Sequence, residues 1–173
     1  MVSLRRSRGA APPREIMDRV ELRPRERIIA SAADETGIWV LIGTARLYAV
    51  PPAPDGDVLA RPWHLVDGGA WDHDNFTLTV TWVDGARPQQ WVFRDSMQVL
   101  APFRERVQAS VVLTESVDLG ERRTARVVVR KDLSDQSLHD QTILGRGVRL
   151  ADPGVAQAVA DARARVREQV GLD

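Results

Sequence analysis

Apolar and polar positions alternate with a period of two along Phe76-Thr77-Leu78-Thr79-Val80-Thr81-Trp82-Val83. Phe76, Leu78, Val80 and Trp82 share one face, and the three threonines share the other. That is the signature of an antiparallel strand with one buried, aromatic-rich face. The same reading predicts further strands at 28–33, 38–50, 61–67 and 89–94. Asp34-Glu35-Thr36-Gly37 is a hairpin turn, with Gly37 supplying the positive φ that such turns use. The segment 38–50 is apolar on both faces near Trp39-Val40-Leu41-Ile42, and Gly43 within it marks a bulge or sharp bend. Pro51-Pro52-Ala53-Pro54-Asp55-Gly56-Asp57 is a loop. Trp91 and Phe93 face inward on the fifth strand. Together these form a meander of five antiparallel strands.

The period then changes. A helix is predicted from Pro102, a residue welcome at a first helical position, to about Leu113. Phe103, Val107 and Val111 form its apolar face, and Arg104, Glu105 and Gln108 face solvent. Two more strands follow, over 124–131 and about 141–144. The closing helix has Asp152 as cap, Pro153 in first position and Gly171 as its end. Its stripe is Val155, Val159, Ala162, Val166 and Val170, expected to dock on the chain's own barrel. A short helix is predicted over 15–22. Residues 1–24 read as a flexible basic tail and 25–173 as a single domain.

The 173 residues are 43% apolar, enough for one domain with a real core. Net charge is zero, so general attraction to nucleic acid is not expected. No cysteine is present, which excludes disulfides and thiolate metal sites. No apolar run approaches the roughly 20 residues that span a bilayer. Met1-Val2-Ser3-Leu4-Arg5-Arg6 lacks the apolar centre of a signal peptide, so a cytoplasmic location is expected. Lys131 is the only lysine, a bias that follows GC-rich codon usage.

Candidate chemistry is sparse. His64 and His73, with Asp67, Asp72 and Asp74, contain metal-ligand types, yet Asp72-His73-Asp74-Asn75 is also ordinary turn chemistry. Neither a metal nor a cofactor is expected. His139 falls in a polar connection and reads as exposed. There is no Gly-x-Ser-x-Gly elbow, and Gly145-Arg146-Gly147 lacks the helix and third glycine of a nucleotide loop. Trp82 and Trp91 read as core. Trp63 and Trp71 flank Gly68-Gly69 and are expected to be partly exposed. Trp71, Trp63 and His64 are therefore the candidate binding residues. Arg5, Arg6 and Arg8 could give weak peripheral membrane contact, though stable anchoring takes more.

Pro24-Arg25-Glu26-Arg27-Ile28-Ile29-Ala30 through Tyr48, then Pro62-Trp63-His64-Leu65-Val66-Asp67 and Trp71, with Arg104–Val112, resemble an actinobacterial-type family similar to pleckstrin-homology-like domains. The resemblance implies a strongly bent barrel of about seven strands with a helix plugging one end. The chain's own pattern departs from it by placing one helix between the fifth and sixth strands and a second, C-terminal one after the seventh, so the expected fold is α+β and mainly antiparallel with two helices. Domains of this class bind phosphoinositides, peptides or proteins. The acidic tip Asp34-Glu35 disfavours phosphoinositide binding of the animal type. The expected function is a non-enzymatic binding or adaptor module for a protein partner. A small-molecule or lipid-binding barrel is the alternative, and an enzyme of another type the third.

Overall fold

A computed structural model describes residues 11–94 and 97–172. Ten strands in three antiparallel sheets and three helices make up these residues. The fold is α+β and mainly antiparallel, with a C-terminal helix, and its sheets do not close into one barrel.

The first sheet holds β1 (Ile28–Ala33), β2 (Trp39–Gly43), β3 (Arg46–Val50) and β4 (Leu59–Pro62) in that order. After a 3-10 turn at Trp63–Leu65, the second holds β5 (Val66–Asp72), β6 (Thr77–Trp82) and β7 (Gln89–Val92). The expected single strand over 38–50 is thus a hairpin, β2 and β3, joined through Thr44 and Ala45. Gly43 sits at its corner. A Cβ there would meet the Arg46 carbonyl oxygen and Glu26 Oε1, each at 2.7 Å. The expected strand over 61–67 is the end of β4, the turn and the start of β5. Seven strands, rather than five, therefore precede the first long helix.

The two sheets enclose one core of Val40, Ile42, Leu47, Trp63, Val80, Trp82, Trp91 and Phe93, closed by Phe103 of α2 (Leu100–Ser110). The outer face of the first sheet is also covered. Ile16 of α1 (Arg14–Met17) packs there on Leu41, Tyr48 and Val50. Arg19 donates to the carbonyls of Pro51 and Gly56, each at 2.6 Å. Residues 11–24 are consequently part of the packed structure. Arg5, Arg6 and Arg8 lie outside the described residues.

The chain passes from α2 straight into β8 (Val111–Asp118), a strand whose first three residues the apolar spacing reads as the end of the helix. β8 joins β9 (Thr124–Lys131) and β10 (Leu138–Leu144) in the third sheet. On this sheet lies α3 (Val155–Val170). Val155, Val159, Ala162 and Val166 are buried as the stripe predicts, against Val117, Val127 and Val129. The helix docks on the third sheet, not on the seven strands. Its start also differs. Gly154, at φ 77°, stands at the N-cap, and Asp152 instead accepts from the Arg149 N–H. Gly171 ends the helix at φ 69°, as expected. This second core consists only of valine, leucine and alanine. No helix among the described residues is long and apolar enough to cross a membrane.

Asp140 of β10 anchors α3 by pairing with Arg163 and with Arg167, the latter at 3.2 Å. The hydrogen bond from Arg163 outweighs partial burial and, with both positive charges, holds the Asp140 carboxyl below its ordinary 3.8. Asp140→Asn should cost about 0.5–1 kcal/mol near neutrality, since both arginines are substantially exposed. A carboxyl depressed in the folded state stabilises fully above its unfolded value and loses that contribution as pH falls through its folded value. The gap between wild type and variant should therefore close below pH 3.8. Urea midpoints at neutral and acid pH check this; a constant gap would contradict it.

Candidate functional site

β5 carries Gly69 and Trp71 past α2. A Cβ on Gly69 would stand 2.3 Å from Cε1 of Phe103. The missing side chain is what lets the Phe103 ring rest on the strand. Beside this contact opens a cleft of about 580 Å³, walled by Trp71, Leu78, Phe103 and Val107, with Arg104 and Gln108 on its helix side. Trp71 is half-buried, stands opposite Leu78 in the ladder and packs on the first core. Its indole N–H donates to His73 Nδ1 at 3.1 Å. That bond fixes the ring while leaving part of it open. Arg104 is exposed and makes no ion pair or hydrogen bond among the described residues. The arrangement is an apolar slot with one uncommitted positive charge beside it, the pattern of a preformed binding site.

The other sequence candidates fall elsewhere. Trp63 is fully buried, not partly exposed. Its N–H donates to the Gly43 carbonyl at 2.9 Å and its ring meets Phe103 edge-on at 5.6 Å. It supports the cleft from behind and presents no surface to a partner. The His64, His73 and aspartate grouping does not assemble. His73 serves Trp71, Asp72 accepts from Asn75 and Asp74 within their turn, and Asp67 pairs with Arg126 at 3.0 Å.

His64 meets different residues. The β9–β10 connection brings Asp132 to 3.6 Å from His64 Nδ1, and His139 of β10 stacks on the His64 ring at 4.5 Å. Ligand atoms of His64, Asp132 and His139 all lie within 4.8 Å of one another, the one such group among the described residues. His64 and Asp132 are buried, and His139 is exposed. Burial, with the charges of His139 and Arg23, pushes the His64 imidazole below its ordinary 6.5 despite the opposing pull of Asp132. The ring is therefore neutral at pH 7. Burial alone would raise the Asp132 carboxyl, but hydrogen bonds from the Ser134 hydroxyl and backbone N–H bring it below 3.8.

One wall of the cleft is legible in the sequence, through Trp71 and the glycine pair, and the other is not. The spacing puts Phe103 and Val107 on the apolar face of α2 and Arg104 and Gln108 toward solvent, but nothing local reveals that Gly69 receives Phe103. Asp132 carried no signal beyond that of a turn residue. No protein-family model matches the chain, and neither does any curated protein or solved structure with which it was compared.

Proposed function

We propose that the protein is a non-enzymatic binding module whose α2–β5 cleft takes up an apolar side chain of a protein partner, next to an acidic group that meets Arg104. The observation that carries this reading is the cleft itself: open apolar walls, a half-buried tryptophan held by its own hydrogen bond, and an unpaired arginine beside it. Half-exposed aromatic and arginine side chains are the residues that dominate protein interfaces when they become desolvated. A pleckstrin-homology-like relationship agrees with four strands and three strands over one core followed by a helix. In that relationship β8–β10 and α3 are an addition. The module is proposed to act in the cytoplasm. The cleft volume also suits a small apolar acid, since such ligands occupy sites of about 300–1,000 Å³.

Trp71→Ala tests the proposal. The ring is only half-buried, so the fold should lose about 1–2 kcal/mol, less than for a fully buried aromatic. A partner crosslinked to wild type in native cells should be lost from both Trp71→Ala and Arg104→Glu, with circular dichroism unchanged. A partner retained by both variants would place the interface elsewhere. Quenching of tryptophan emission by small apolar acids, lost in Arg104→Glu without any protein partner, would favour the second reading.

A further inference from the structure

We propose that His64, Asp132 and His139 form a binding site for a divalent transition-metal ion of the zinc type, separate from the cleft. Two imidazoles and one carboxylate are a donor set that suits such ions, with a fourth position open to solvent. They come from two distant parts of the chain: His64 from the turn after β4, and Asp132 and His139 from the β9–β10 hairpin.

One atom points to a ligand independently of the clustering. His64 Nδ1 is buried and has no hydrogen-bond partner. An unsatisfied buried polar atom is costly, and most such atoms in folded proteins are paired. This nitrogen faces Asp132 Oδ2 across 3.6 Å, too far for a hydrogen bond. Two donors each about 2.0–2.2 Å from a tetrahedral zinc sit roughly 3.4 Å apart, close to that gap. An ion between them would satisfy both atoms at once.

The surroundings orient the donors. Asp132 Oδ1 accepts from Ser134 N at 2.8 Å and Ser134 Oγ at 2.6 Å, which leaves Oδ2 directed at His64. The His64 carbonyl accepts from Gln141 Nε2 at 2.8 Å, pinning the turn to β10. Outer contacts of this kind fix ligand orientation in metal sites. Two features must yield. The His139 ring, exposed and hydrogen-bonded to Ser137 Oγ at 3.1 Å, swings off its stack on His64. The Arg23 guanidinium, 3.5 Å from Asp132 Oδ2 and 41% exposed, moves aside. Exposed Asp135, hydrogen-bonded to Ser137 beside the site, adds a compensating negative charge.

The experiment uses the full chain, stripped with a chelator and dialysed. It is titrated with Zn²⁺ by calorimetry and with Co²⁺ by visible absorption. Wild type should bind one ion per chain with cobalt bands of low-symmetry nitrogen–oxygen coordination. His139→Ala removes an exposed side chain and leaves the core intact, and Asp132→Asn keeps the shape of the turn. Each should weaken binding by more than about tenfold, the lower end of what loss of an outer-shell partner alone brings. His73→Ala should bind like wild type. No saturable binding by wild type would overturn the assignment. So would affinity unchanged in both ligand variants, or affinity lost in His73→Ala.

Discussion

Trp63→Ala is expected to lower the unfolding free energy by about 3–5 kcal/mol, the range for removing a fully buried aromatic. The indole is wholly enclosed between the first two sheets and α2. Its truncation leaves a hole that the rigid strands on either side cannot fill. It also strands the Gly43 carbonyl, which loses its 2.9 Å donor at the corner of the β2–β3 hairpin. Phe103 loses the ring against which its edge is set, so the seat of α2 loosens too. Trp63→Phe should recover most of the volume but not the hydrogen bond, and fall between the two. Urea denaturation followed by circular dichroism decides it. A loss below about 1 kcal/mol would mean that the residue is not the core element described. The contrast with Trp71→Ala is diagnostic, because the two tryptophans differ in burial and not in chemistry.

Arg130→Ala should cost about 2–3 kcal/mol, the scale of hydrogen bonds made by a buried charged group. Arg130 is 2% exposed and lies on β9 between the two cores. Its Nη1 donates to Ser110 Oγ at the end of α2, and its Nη2 to the Asp67 carbonyl on β5, each at 3.1 Å. Asp67 Oδ1 stands 3.9 Å away. Burial lowers its pKa, but arginine starts so high that it stays charged. One side chain therefore ties the third sheet to the second sheet and to α2. Removing it takes a donor from the Asp67 carbonyl and from Ser110 Oγ, whose own hydroxyl proton still goes to the Val107 carbonyl at 2.7 Å. Arg126→Ala is the control. That residue also pairs with Asp67, but it is largely exposed, and its loss should stay below about 1 kcal/mol. Equal losses in the two variants would show that burial is not what gives Arg130 its weight.

Much of the fold is legible in the chain because one-sided burial writes a period. β6 alternates as its threonines predict, and the α3 stripe is buried where its spacing places it. The readings that miss do so where burial is not one-sided. β2 and β3 are covered by the core within and by α1 outside, and the Thr44-Ala45 corner between them carries no proline, asparagine or aspartate to signal a turn, so they read as one strand. β8 escapes for another reason. Val111 continues the helical spacing of Phe103 and Val107, and no glycine or proline stands between helix and strand. The barrel expectation fails to anticipate a second core, since no local pattern tells a strand which sheet it joins. The site follows the same logic. Trp71 is visible beside its glycines, whereas the Gly69–Phe103 contact and the meeting of His64, Asp132 and His139 depend on long-range closure.

The distribution of rings between the two cores has a practical consequence for spectroscopy. Every tryptophan, tyrosine and phenylalanine precedes β8, the last being Phe103, and the core under α3 is wholly aliphatic. Intrinsic emission and near-ultraviolet ellipticity therefore watch the first seven strands and α2, and are dark to the third sheet and α3. Far-ultraviolet ellipticity watches both. If α3 and its sheet melt early, the two signals will part, and a midpoint taken from emission alone will overstate how long the whole chain stays folded.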